Sequence, residues 1–163
     1  PHRCILLAQI SPPEAPPPPT LTAARNCAHK FGLPISAAPG YLAQMLQIED
    51  VLRDRGSRYA VSGGPVQGRT GIDAFLTELK RAKKFAKATH NTWACVLSDG
   101  GAVKNDDGES GAAAVILKML ERAELRDHVV VVTRWYGGVH LGGDRFAHVV
   151  TSVRAYLDAL AKA

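Results

Sequence analysis

The segment Arg134-Trp135-Tyr136-Gly137-Gly138-Val139-His140-Leu141-Gly142-Gly143-Asp144-Arg145 places four glycines beside two large aromatics and two arginines. Each glycine loses extra backbone entropy on folding, so four in so short a stretch imply that something passes close to the backbone. If that something is a ligand, the free amides of Gly142 to Arg145 at the opening of a helix can meet a phosphate. Arg134 and Arg145 then add positive charge. If it is the chain itself, the stretch is a tight strand-to-helix turn with Trp135 and Tyr136 as lids on the core. A second group is Asn105-Asp106-Asp107-Gly108-Glu109-Ser110-Gly111. Three carboxylates ahead of a helix complement its dipole and cap its amides, which accounts for them without further chemistry. The chemical alternative has Asp106, Asp107 or Glu109 holding a hard cation or serving as a general base near His90 or His140. His90 lies in Thr89-His90-Asn91, a junction where histidine and asparagine also satisfy turn backbone.

Charge provides a third group. The net charge of +5 is unevenly spread: Arg55, Arg58, Arg69, Lys80, Arg81, Lys83, Lys84 and Lys87 face only Asp73 and Glu78, so residues 55–87 carry +6 and the rest −1. Lys80, Lys84 and Lys87 recur at steps of four and three, with Arg81 and Lys83 beside them. On one helix that row can follow a phosphate backbone, or it is a solvated face. The sequence contains no Walker lysine, no G-x-S-x-G elbow and no zinc-type Cys/His spacing. Neither a catalytic residue nor a cofactor or metal site is therefore expected, and the chain reads as a non-enzyme.

These groups need elements to hold them. An apolar content of 46% over 163 residues supports one ordinary domain plus an appendage. The longest apolar run, residues 128–133, suits a strand and falls far short of the ~18 residues that cross a bilayer, so no membrane partner is expected. Cys4, Cys27 and Cys95 are odd in number and far apart, which points to a reducing compartment. Residues 1–53 read as a proline-rich amino-terminal arm. Its run Ser11-Pro12-Pro13-Glu14-Ala15-Pro16-Pro17-Pro18-Pro19 is extended or polyproline II, and short helices are expected at 22–31 and 38–52. Glu14 is the only acid before Ile48, a composition that suits an organellar protein, and Pro1 in place of methionine leaves a removed presequence open.

Beyond residue 53 the pattern is regular. A strand is expected at 57–66, ending or bulging at Gly63-Gly64-Pro65, and then a helix through 72–87 with Ile72, Phe75, Leu76, Leu79, Ala82 and Ala86 inward. Residues 92–98 read as a strand, 99–108 as a loop, and 109–123 as a helix with Ala113, Ile116, Leu117 and Leu120 inward. A buried strand at 128–133 feeds the glycine turn. The last helix carries Phe146, Val149, Val150, Val153 and Leu157 on its apolar stripe. The order βαβαβα predicts an α/β sandwich.

Three blocks taken together resemble the IMPACT domain, also found in the bacterial YigZ proteins. They are Lys87-Ala88-Thr89-His90-Asn91, Asp106-Asp107-Gly108-Glu109, and Arg134-Trp135-Tyr136-Gly137-Gly138 running through Leu141-Gly142 to Asp144-Arg145-Phe146. The resemblance covers residues 54–160, and Asp144-Arg145-Phe146 is closer to the eukaryotic members. It implies an α+β two-layer sandwich similar to domain IV of elongation factor G and to the ribonuclease P protein, a fold whose βαβ crossover can be left-handed. Ribosome or RNA contact follows by analogy of fold. The resemblance further implies translational control, since eukaryotic IMPACT proteins compete with the stress kinase Gcn2 for its activator Gcn1, largely through an amino-terminal RWD domain. Residues 1–53 do not read as such a domain.

The sequence thus points to a translation-associated protein that binds ribosomal RNA or a ribosomal particle. The contact residues expected are Arg69, Lys80, Arg81, Lys83, Lys84, Lys87, His90, Arg134, Trp135, Tyr136, Gly137, Gly138, Gly142, Gly143 and Arg145. The arm is expected to engage protein partners, and the compartment to be the cytoplasm or, as the alternative, the mitochondrial matrix. Two other functions stay open. One is a protein-interaction regulator of the Gcn1/Gcn2 type; the other is an undescribed hydrolase using His90 with Asp106, Asp107 or Glu109.

Overall fold

The computed structural model describes residues 45–99 and 101–163. Their elements run β1 (Leu46–Asp54), β2 (Ser57–Pro65), α1 (Gly68–Arg81), α2 (Lys83–Ala86), β3 (His90–Val96), β4 (Ala102–Asn105), α3 (Ala112–Arg122), β5 (His128–Trp135) and α4 (Asp144–Leu160). The strands form one sheet in the order β1-β2-β5-β3-β4, each antiparallel to its neighbours. The α/β reading of the sequence is the observed class, and the helices at 109–123 and after the glycine turn are present as α3 and α4.

β5 is the central strand because it is apolar on both sides, and alternation divides its valines between two cores. Val130 and Val132 pack with Val61, Ile116, Leu120, Val149, Val153 and Tyr156, so α3 and α4 cover that face. Val129 and Val131 pack with Ile72, Phe75, Leu79, Phe85 and Trp93, so α1 and α2 close the other. Cys95 is a buried free thiol on this second face. No helix of the described residues is long and apolar enough to cross a membrane.

Three local features differ from the sequence reading, each for a physical reason. Residues 46–52, expected at the end of a helix, lie in β1, so the sheet crosses the arm boundary placed at residue 53. A register shift between Ile48 and Leu52, with Asp50 at φ 50°, breaks the two-residue alternation and leaves Ile48, Val51 and Leu52 at helix-like spacing. The rest of the arm, including the polyproline run and the helix expected at 22–31, lies outside the described residues. β2 ends at Pro65, within the Gly63-Gly64-Pro65 stop expected from the sequence, and a Cβ on Gly63 would stand 2.5 Å from the Tyr156 ring, so that glycine makes room for Tyr156. The loop expected at 99–108 contains β4, paired with β3. The helix expected through 72–87 is broken at Ala82, whose ψ of 113° is extended.

Tyr156 also closes a buried polar pair, its Oη standing 2.6 Å from His128 Nε2. Burial holds the His128 imidazole below its ordinary value of 6.5, because a charged ring would be poorly solvated there. The unfolded chain then binds the proton more readily, so the stability that His128 contributes is complete above 6.5 and is lost as pH falls below it. Thermal melting between about pH 7 and pH 5 is expected to show this loss, with a shallower slope in His128→Gln. An unchanged slope would remove His128 as its source.

Candidate functional site

The three sequence blocks meet at one cleft of about 520 Å³, lined by Thr89, His90, Gly108, Glu109, Ser110, Arg134, Tyr136, His140, Leu141, Gly142 and Arg145. Strand alternation decides which side chains reach it. Arg134 pairs in register with Tyr59 of β2 and His90 of β3, so these three lie on the α3/α4 side of the sheet. Trp135 projects to the opposite side. Its ring lies 5.5 Å from Phe85, its Nε1 donates to the Lys84 carbonyl at 2.9 Å, and the Arg58 guanidinium lies over it at 5.4 Å. Of the two aromatics expected at the site, Tyr136 lines the cleft and Trp135 locks α2 to the sheet.

The floor is a buried ion pair: Arg134 Nη1 donates to Glu109 Oε1, with Arg134 5% and Glu109 4% exposed. Arg134 Nη2 reaches Ser57 Oγ at 3.4 Å, and the guanidinium sits near the rings of Tyr59 and Tyr136. Its Nε is buried without an acceptor among the described residues, and the Tyr59 Oη is likewise buried there without a partner. Burial pushes the Tyr59 phenol up to about 12, which keeps it neutral beside Arg134. On the rim, Arg145 donates through Nη1 to the Gly142 carbonyl at 2.6 Å and through Nη2 to the Ser110 carbonyl at 3.4 Å, and lies 4.3 Å over Phe146. Both guanidiniums expected to add free charge are thus engaged within the chain.

The acidic block builds the wall. Asp106 accepts from the amides of Gly111 and Ala113 at 3.0 and 2.7 Å, capping α3 from outside it. Burial raises the Asp106 pKa and these two amides lower it, and the net direction is down. Asp107 accepts the Asn91 amide at 2.7 Å, and Thr92 Oγ1 donates to the Asp106 carbonyl at 2.9 Å. Glu109, expected as a capping or loop group, is instead the counter-charge of Arg134. Neither histidine meets a carboxylate within the cleft. His90 Nδ1 lies 2.9 Å from the Asp107 carbonyl, which can only accept, so Nδ1 carries the proton; His140 stands 5.5 Å from Tyr136, ring to ring. Among the described residues no group of three or more His, Cys, Asp or Glu side chains could hold a metal ion.

The glycines have unequal roles. What passes close to them is the chain itself: a Cβ on Gly137 would stand 1.9 Å from the carbonyl carbon of Gly56, in the β1–β2 turn. That turn needs positive φ at both Arg55 and Gly56, the two-residue hairpin geometry. Gly138 and Gly142 have positive φ with open space around them among the described residues, whereas Gly143 has φ −69° and no described neighbour near its Cβ position. Gly143 therefore has no steric reason to be glycine, contrary to expectation.

The basic row is also rearranged. Since α1 ends at Arg81 and Ala82 is extended, Lys80, Lys84 and Lys87 do not share one helix face. Lys84 pairs with Glu49 and Arg81 with Glu78. Arg69, Lys80, Lys83 and Lys87 are exposed and make no ion pair among the described residues. Asn91 is a packing residue, bonding the Phe85 carbonyl at 3.1 Å and receiving Thr133 Oγ1 at 2.9 Å.

Residues 55–157, which contain every block that builds the cleft, match the Impact N-terminal domain. The chain belongs to the Impact N-terminal domain family. IMPACT relatives include a Caenorhabditis elegans protein IMPACT homolog, 36% identical over 116 residues, which are 67% of this chain and 45% of that protein. A Saccharomyces cerevisiae homolog is 34% identical over 111 residues, 64% of this chain and 43% of its own length. The matched part of this IMPACT chain thus spans less than half of either relative. The crystal structure of a hypothetical protein shares the fold, with a TM-score of 0.58 at 22% identity over 71% of this chain and 61% of that one.

Ser57 is a residue of the cleft floor that sequence reasoning did not single out, and the pairing of Glu109 with Arg134 is a role it did not foresee. A signal for Glu109 exists: an arginine ending the apolar run 128–133 must be buried between strands, and a buried cation requires a counter-charge. Ser57 has no such signal, because its role depends on the hairpin turning back toward Gly137.

Proposed function

We propose that this domain is a non-enzymatic, translation-associated module that binds ribosomal RNA or a ribosomal particle, in the cytoplasm or alternatively the mitochondrial matrix. Membership of the IMPACT family supports the tie to translation. The observation that carries the RNA reading is the set Arg69, Lys80, Lys83 and Lys87: four exposed cations on or beside α1 and α2 with no ion pair among the described residues. Exposed lysines and arginines of this kind release counterions from a phosphate backbone, and their binding falls steeply with salt. The cleft contributes shape and the charge of Arg145, since Glu109 neutralises Arg134 while the carbonyls that Arg145 meets carry no charge.

A test is fluorescence anisotropy with a ribosomal RNA fragment across a salt series. Lys80→Glu with Lys87→Glu is expected to weaken binding at least about tenfold and to flatten the slope against log salt by about 2. Melting should move little, because exposed charge changes cost about 0.5 kcal/mol or less. Unchanged affinity and slope would refute RNA contact through α1 and α2.

A second reading, a protein-interaction regulator of the Gcn1/Gcn2 type, has its own observation. Tyr136 and Val139, the exposed large apolar side chains of the described residues, both lie on the loop at the cleft mouth. Apolar side chains at a rim favour protein over phosphate. Association that survives nuclease and is lost in Tyr136→Ala with Val139→Ser would favour this reading.

A further inference from the structure

On the face of the sheet away from α1 and α2, α3 and α4 lie side by side and leave a groove of about 500 Å³ between them. Val115, Met119, Val150 and Leu157 form its apolar floor, and Lys118, Arg122 and Arg154 stand along it. Val115, Met119 and Arg122 recur at four and three residues on α3, and Val150, Arg154 and Leu157 do the same on α4, so the groove is about two turns, or ~10 Å, long. No carboxylate lines it, and none of its three cations makes an ion pair among the described residues, Arg154 with Asp158 four residues on included.

We propose that this groove docks an acidic amphipathic helix of a protein partner. Its apolar residues at i, i+3, i+4 and i+7 fill the floor, and its carboxylates meet Lys118, Arg122 and Arg154. Charge complementarity selects this occupant. The chain's own residues 1–44 carry Arg3, Arg25 and Lys30 against Glu14 alone, and so oppose the groove in charge. A second copy docking symmetrically would set the three cations against themselves. RNA gains nothing from an aliphatic floor, which stays hydrated unless side chains fill it. The proposal does not rest on the RNA reading, which uses the other face.

The chain has two methionines, Met119 in the groove and Met45 against the opposite core, so ¹³C-methyl labelling reads the site directly. The probe is a synthetic acidic peptide of about four helical turns, leucine at the four anchor positions and glutamate on the flanks, beside a scrambled isomer. The expected result is saturable binding that shifts Met119 and leaves Met45 in place. Binding should be at least about tenfold weaker for the scrambled peptide and for Lys118→Glu with Arg154→Glu, whose exposed positions leave melting unchanged. Equal binding of the scrambled peptide, an unmoved Met119, or affinity indifferent to the charge reversal overturns the proposal. Displacement of the peptide by an equal concentration of oligoribonucleotide overturns it too, assigning the groove to nucleic acid, and concentration-dependent dimerisation blocked by the peptide assigns it to a second copy.

Discussion

Glu109→Ala is expected to destabilise the domain by about 3–5 kcal/mol, the cost of leaving a buried charge without its partner. Arg134 is enclosed by Glu109, Ser57 and the rings of Tyr59 and Tyr136, and with Glu109 gone the 3.4 Å contact to Ser57 Oγ is the one hydrogen bond left to its guanidinium among the described residues. Urea unfolding should show the change as a lower midpoint, equivalent to a Tm lower by roughly 15 °C or more. Glu109→Gln should cost less, because the amide oxygen still accepts from Nη1. Adding Arg134→Met to Glu109→Ala should recover much of the loss, since removing both charges removes the desolvation penalty with them. A Glu109→Ala cost below about 1 kcal/mol would mean that the pair is solvated and the floor of the cleft is not built as described.

The second large effect belongs to Gly137. A valine there would drive its Cβ to 1.9 Å from the Gly56 carbonyl carbon and 2.2 Å from the Ser57 nitrogen. Those atoms are backbone held in register by the Asp54↔Ser57 and Arg58↔Trp135 pairs, so they cannot swing aside as a flexible side chain would. Gly137→Val is expected to cost about 3 kcal/mol or more and to separate the hairpin turn from the cleft mouth. Gly142→Val, strained only by its left-handed backbone, should cost about 1–2 kcal/mol, and Gly143→Ala about 0.5 kcal/mol or less. Equal melting temperatures for Gly137→Val and Gly143→Ala would contradict the packing of the turn against this loop.

What the sequence could reveal followed the range of its signals. The apolar stripes of α1, α3 and α4 and the doubly buried β5 are local periodicities, and they were readable because each element buries one side chain pattern against one neighbour. The bulge in β1 imitated helical spacing, and the Arg55–Gly56 turn lacks the asparagine or aspartate that usually marks positive φ. The break at Ala82 left no trace at all, since alanine is the best helix former. Tertiary bonds from Trp135 and Asn91 to the carbonyls of Lys84 and Phe85 hold α2 separately. The three blocks were legible as a set, but the division of labour within them was not. Whether Trp135 or Tyr136 meets the cleft depends on strand phase, and whether Glu109 caps a helix or neutralises Arg134 depends on a residue 25 positions away.

The central proposal, that this IMPACT-family domain meets ribosomal RNA or particles through the cations on α1 and α2 that have no ion pair among the described residues, is tested most directly by sedimentation with purified ribosomal particles at physiological salt. The wild-type chain is expected to travel with the particles, and Lys80→Glu with Lys87→Glu to remain at the top of the gradient while melting as the wild type does. Co-sedimentation that is equal for the two proteins, or wild-type protein that stays wholly free of the particles, would contradict the claim.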